Sequence, residues 1–185
     1  MFSTQIEALA RSREFIIRII WAANTLSVLI LIVLAFALAP GQQPCATGRL
    51  ESVFIPVSFA LAGAAFFLRW FLMSQERVRK SAAESVDLRR LASARGVVNQ
   101  MLLHRLEEVP DREKFLIKVI FNKFGAVLVS LMLHEAIAIF GLVIALQSGN
   151  AGKIIPFAIA ALALNILIFP DLRRELERYK DLVLR

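Results

Sequence analysis

VLVSLMLHEAIAIFGLVIAL, residues 127–146, decides the fold. At a rise of about 1.5 Å per residue, this run is long enough as a helix to cross about 30 Å of hydrocarbon. Its middle carries His134 and Glu135. A carboxylate at that depth costs a few kcal/mol even on lenient insertion scales, so its default reading is functional.

Composition agrees with a membrane setting. Of the 185 residues, 58% are hydrophobic and only 20% are charged, with the apolar residues gathered in blocks. The net charge of +7 could point to nucleic acid, but the basic residues flank apolar spans without interleaved aromatics, so no nucleic-acid partner is expected. The single cysteine, Cys45, allows no internal disulfide and is too few for a metal cluster.

Upstream, residues 19–39 form a first span behind Arg11, Arg13 and Arg18. The Ala-Leu-Ala at 37–39 resembles a signal-peptide cleavage site, but a 21-residue apolar run exceeds the usual length of about 7–15, which favours a retained span. A turn-rich loop precedes a second span at 53–73, with Pro56 expected in its first turn and Arg69 near its far end, beside Trp70. Residues 74–120 are polar and charged. Val98, Met101, Leu102, Leu106 and Val109 recur there at helical steps, and Pro110-Asp111 supplies a break and a cap. The third span is 124–146, residues 147–153 form a polar turn, and a short fourth span covers 154–169. Beyond Pro170-Asp171, a stripe of Leu172, Leu176, Tyr179 and Val183 predicts an amphipathic helix along the membrane surface or against a partner.

Twenty of the 22 lysines and arginines lie in the N-terminal arm, the stretch from Arg69 to Lys123 and the tail; the two short loops hold only Arg49 and Lys153. That asymmetry places both termini and the connector in the cytoplasm, and in a bacterium the protein in the inner membrane. Arg77, Arg79, Lys80, Arg89, Arg90, Arg173 and Arg174 are then candidates for contact with anionic lipid headgroups or a partner.

The chain also repeats at a spacing of 100. FIIRIIW at 15–21 aligns with FLIKVIF at 115–121, each just after Arg-Glu, and Ile55-Pro56 aligns with Ile155-Pro156. The expected fold is therefore all-α: four transmembrane helices as two tandem parallel hairpins with cytoplasmic helical extensions. The first hairpin falls in residues 1–96 and the second in 97–185. Ala35 and Leu34 stand at the positions equivalent to Glu135 and His134, so the acidic group belongs to the second copy alone.

A carboxyl near mid-span can take up and release a proton, or a cation where oxygens converge on it. Ser130 is the one nearby oxygen on the same helix, which argues for a proton over sodium. Counted from the outer ends of their spans, Glu135 and Asn165 lie at equal depth, making Asn165 a candidate hydrogen-bond partner. His134 points about 100° away from Glu135 and forms no metal pair with it. The candidate ion-binding residues are thus Glu135, Ser130, Asn165 and His134. Asn24, Thr25 and Ser27 in the first span read as marks of close helix contact. Without a phosphate loop, nucleophile elbow or paired carboxylates, neither an enzyme nor a cofactor is expected.

EAIAIFGLVIAL, residues 135–146, resembles the carboxylate helix of the rotor-ring c subunits (proteolipids) of rotary ATPases. There an acidic residue is followed by a segment like Ala-Leu-x-Ile-Tyr-Gly-Leu-Val-x-Ala-Leu. The resemblance covers about residues 130–146. It implies that Glu135 is the ion-carrying group and that the chain works within an oligomer; fused proteolipids likewise contain hairpins lacking the carboxylate. The chain departs from that family in its one glycine in ALAGAA (60–65), where the family repeats Gly-x-Gly, and in its long connector. The alternative is a non-catalytic scaffold or assembly subunit that binds a partner through its cytoplasmic helices.

Overall fold

The computed structural model describes residues 3–41, 48–72, 76, 108–169, 171–177 and 179. Among them the protein is all-helical: α1 (Thr4–Leu38), α2 (Gly48–Leu72), α3 (Lys114–Ser148), α4 (Ile155–Leu167) and α5 (Leu172–Glu177), with 3₁₀ turns at Ala39–Gly41, Asp111–Glu113 and Ala151–Ile154. Helices α1, α2 and α3 are long and apolar enough to cross a membrane. With its leading turn, α4 makes a shorter apolar segment, Ala151–Leu167.

Two helix starts differ from expectation. Because α2 begins at Gly48, Pro56 falls two turns inside the helix, where it cannot donate to the carbonyl four residues back; Pro156, by contrast, stands at the start of α4, where no donor is needed. Asp111 does not cap α3. Its carboxylate pairs with Lys114 Nζ at 2.5 Å, and the turn starts at Pro110 without a side-chain cap. After α3, Gly149 takes the left-handed conformation (φ 63°), and Asn150 Oδ1 accepts from Gly152 N at 3.0 Å to start the next turn.

Two compact units emerge, each drawing on both sequence halves. The first comprises Met1–Ile17, Trp70–Gly125 and Asp171–Arg185. In its described part, Ile6, Leu9 and Ala10 of α1 pack with Val109, with Leu116, Ile117 and Ile120 of α3, and with Leu176 and Tyr179. Of the apolar stripe in the tail, Leu172, Leu176 and Tyr179 are buried, Leu176 and Tyr179 within this core, and Val183 lies outside the described residues. Arg13 lies over the rings of Phe121 and Phe124, 4.9 and 5.2 Å from their centroids.

The second unit, Arg18–Arg69 with Ala126–Pro170, has a core of small side chains. Val28 and Ala35 of α1 meet Ala138 and Ala145 of α3 and Ile154, Ala158 and Ala161 at α4. Small residues let backbones approach, and packing of this kind is what joins helices in a lipid-like surrounding. The approach is tightest at Gly141, where an added Cβ would stand 2.6 Å from Phe157 Cβ. Outward-facing positions are apolar and exposed, among them Val33, Phe59, Phe66, Met132, Ile159 and Ile166. That inversion of the usual pattern suits a hydrocarbon surrounding.

The partners across this unit define helix directions. Between α1 and α3, Asn24 meets the Leu131 carbonyl and Ser27 meets Glu135, 107 and 108 residues on. Between α2 and the α4 segment, Arg69 Nη1 donates to the Leu167 carbonyl at 3.0 Å and Glu51 pairs with Lys153 at 2.9 Å, 98 and 102 residues apart. Numbers rise together in both pairs. Across α2 and α3 they run oppositely: Ser130 Oγ reaches the Ala65 carbonyl, and the ring of Phe54 stacks on Phe140, centroids 4.7 Å apart.

Candidate functional site

The polar groups of the second unit meet where three helices touch. On α1 the inward positions 21, 24, 28, 31 and 35 follow alternating three- and four-residue steps, a seam of the coiled-coil kind. Asn24 occupies one of them. On α4 the seam is Ile154, Ala158, Ala161, Asn165 and Ile168, all buried. Helix α3 carries two adjacent seams. Residues 131, 135, 138, 142 and 145 meet α1, whereas His134 and Gly141, on the neighbouring seam, meet Asn165 and Phe157 of α4. This is how His134 and Glu135, about 100° apart on one helix, join a single network.

Glu135 accepts at both oxygens. Ser27 Oγ donates to Oε1 at 2.5 Å, and Asn24 Nδ2 donates to Oε2 at 3.1 Å and to the Leu131 carbonyl at 3.3 Å. Asn24 Oδ1 accepts from Asn165 Nδ2 at 3.0 Å, and Asn165 Oδ1 lies 2.9 Å from His134 Nδ1. With Asn165 Oδ1 free only to accept, Nδ1 is the ring nitrogen that carries hydrogen. Every donor in the chain His134, Asn165, Asn24, Glu135 then points toward the carboxyl group, so the amide dipoles reinforce one another. Trp21 Nε1 anchors the far side by donating to the Asn165 carbonyl at 2.8 Å.

Burial is nearly complete at the inner end. His134 and Asn165 are 0% exposed and Asn24 is 8% exposed, while Glu135 and Ser27 are half-buried. His134 Nε2 is buried and has no hydrogen-bond partner among the described residues. No group of three or more His, Cys, Asp or Glu side chains that could hold a metal ion comes together among them either.

The site lies off-centre. One end of the unit is marked by Arg18, whose guanidinium sits 5.5 Å from the Phe169 ring centroid, by Trp21 packed edge-on to that ring, and by Arg69. Along α1, Asn24 is about 9 Å from Arg18, whereas along α3 Glu135 is about 20 Å from the helix end at Ser148. The carboxyl group is thus nearer the arginine end than the Ser148 end.

Of the four residues expected from sequence, Glu135, His134 and Asn165 come together, with Asn165 reaching Glu135 only through Asn24. Ser130 does not join them. Five residues from Glu135, it is rotated about 140° around the helix and its hydroxyl is directed to the Ala65 carbonyl, at 3.5 Å. Sequence reasoning missed the roles of Asn24 and Ser27. For Asn24 the signal was the alternating step pattern, which puts it on the same face as Val28 and Ala35; Ser27 lies beside that seam, one residue before Val28. Thr25 lies off that face and turns its hydroxyl onto the Trp21 carbonyl of its own helix, at 2.9 Å.

Among the candidate surface contacts, Arg77, Arg79, Lys80, Arg89 and Arg90 lie outside the described residues, as does the side chain of Arg173. Arg174 is exposed, and its backbone N–H donates to Asp171 Oδ1 at 3.0 Å, which starts α5. No protein-family model, curated protein or solved structure matches this chain.

Proposed function

We propose that the chain is a multi-pass membrane protein in which Glu135 takes up and releases a proton, without catalysing a covalent reaction. The observation carrying this reading is that a carboxyl group inside an apolar helix has both oxygens engaged by uncharged donors, Asn24 and Ser27. A bare hard cation takes several converging oxygens, whereas the described side chains bonded to Glu135 give it one amide nitrogen and one hydroxyl, which favours a proton.

The two donors differ in what they permit. Asn24 Nδ2 also holds the Leu131 carbonyl, which fixes its orientation. The Ser27 hydroxyl can rotate from donor to acceptor. A proton arriving at Oε1 can therefore be received by reversing one bond. In this account the helices form two tandem parallel hairpins with both termini cytoplasmic in a bacterial inner membrane. The likeness of residues 135–146 to a proteolipid carboxylate helix suggests action within an oligomer or a larger membrane complex, against a lipid surface with anionic headgroups.

The test is proton release on raising the pH of purified protein in weakly buffered detergent. The full chain should release one more proton than Glu135→Gln. Equal release from two folded proteins would overturn the reading and leave the scaffold alternative.

A further inference from the structure

The buried histidine beside Glu135 is unused by the reading above. Its Nδ1 is held by Asn165, and its Nε2 lone pair is directed into the protein interior with no described partner. A fully enclosed nitrogen of this kind is uncommon, because buried polar atoms are normally satisfied. Around His134 the described polar contacts are Asn165 from α4 and, through it, Asn24 from α1; Ser130, one turn back on α3, is turned to α2. Glu135 is the one other titratable side chain in this chain of bonds.

We propose that His134 Nε2 and Glu135 Oε1 are two residences for one shared proton. This rests on Glu135 being a proton-binding group and adds the second atom. A lone charge is expensive to hold in a low-dielectric interior, so the site as a whole favours zero net charge. One proton achieves that in either of two ways: a neutral carboxyl beside a neutral ring, or a carboxylate beside an imidazolium. In the second arrangement the donor chain runs from the positive ring to the negative oxygens, which is its direction in the structure. The amides orient and polarise; they do not carry the proton. When Oε1 gives up its proton and the Nε2 lone pair gains one, Nδ1 keeps its own and the count on the site is unchanged; because Nε2 is enclosed, the exchange takes place only when the packing around the ring opens to water.

The experiment is the rate of carbodiimide modification at Glu135 in membranes, comparing the full chain with His134→Gln at matched pH. Removing one residence leaves the proton on Glu135 alone, so the variant should react about twofold faster or more. Equal or slower modification of a folded variant overturns the sharing while leaving Glu135 as a proton site. If Glu135 reacts in neither protein, the reading on which the inference rests falls with it. As a second readout that needs no change at 134 or 135, nitrogen NMR of ring-labelled His104→Gln protein should detect imidazolium that turns neutral once carbodiimide has blocked Glu135. A ring that is neutral throughout, or that stays imidazolium after the block, contradicts the proposal.

Discussion

Asn24 of α1 donates to the carboxylate of Glu135 on α3, 111 residues further along the chain, while its carbonyl oxygen accepts from Asn165 of α4. One amide thus ties three helices at a single level, and the consequences of removing it can be stated.

Asn24→Leu deletes two donated bonds and one accepted bond, leaving Glu135 Oε2, the Leu131 carbonyl and Asn165 Nδ2 without those partners. Leaving buried polar groups unmatched costs about 1–3 kcal/mol, and interhelical bonds measured in membranes fall toward the lower end. Unfolding in detergent micelles should show a loss of that size. Thr25→Ala, one residue away, removes a bond within its own helix and should change stability by less than about 0.5 kcal/mol. Similar losses from the two would mean that the tie is not where the structure places it.

Gly141→Ala should destabilise by about 1–3 kcal/mol, the usual penalty of overpacking. The obstruction is Phe157 Cβ itself, 2.6 Å from the added methyl, with Cγ at 3.0 Å. Removing the ring alone with Phe157→Ala should not restore a Gly141→Ala protein, because the Cβ remains, whereas Phe157→Gly should recover part of the loss. Thermal unfolding of the double variants distinguishes these outcomes.

The Glu51–Lys153 pair, at 2.9 Å, joins the start of α2 to the turn before α4. Both side chains are partly exposed, at 29% and 42%, and ion pairs of that kind contribute about 0–1 kcal/mol. Lys153→Met should therefore lower stability by no more than about 1 kcal/mol, and added salt should narrow the difference further. A larger, salt-insensitive loss would show that the pair is more deeply enclosed than its exposure indicates.

Helix type and the candidate carboxylate were legible in the sequence because both follow from local facts. Apolar runs of membrane length dictate helices, and an acidic residue inside one is conspicuous. The partners of Glu135 were hidden by register. The 100-residue repeat sets Glu135 opposite Ala35, and α2 with the α4 segment does pair near that offset, at 98 and 102. Between α1 and α3 the stagger is 107 to 111, which brings Ser27 and Asn24 to the carboxyl group instead. Such a stagger is decided by how small side chains such as Ala35, Ala138 and Ala145 interlock, which no single helix contains. Pro56 was misplaced for a simpler reason: apolarity marks where a span begins, whereas α2 itself starts at Gly48, in polar sequence.

The most direct measurement is site-resolved carbodiimide modification of the full chain in membranes, read by mass spectrometry at each carboxyl group over a range of pH. These reagents attack the protonated carboxyl and persist where water is scarce. The account predicts modification at Glu135, falling as pH rises and more persistent than at exposed acids such as Asp111. Absence of modification at Glu135 at every pH, in protein shown to be folded, would contradict it.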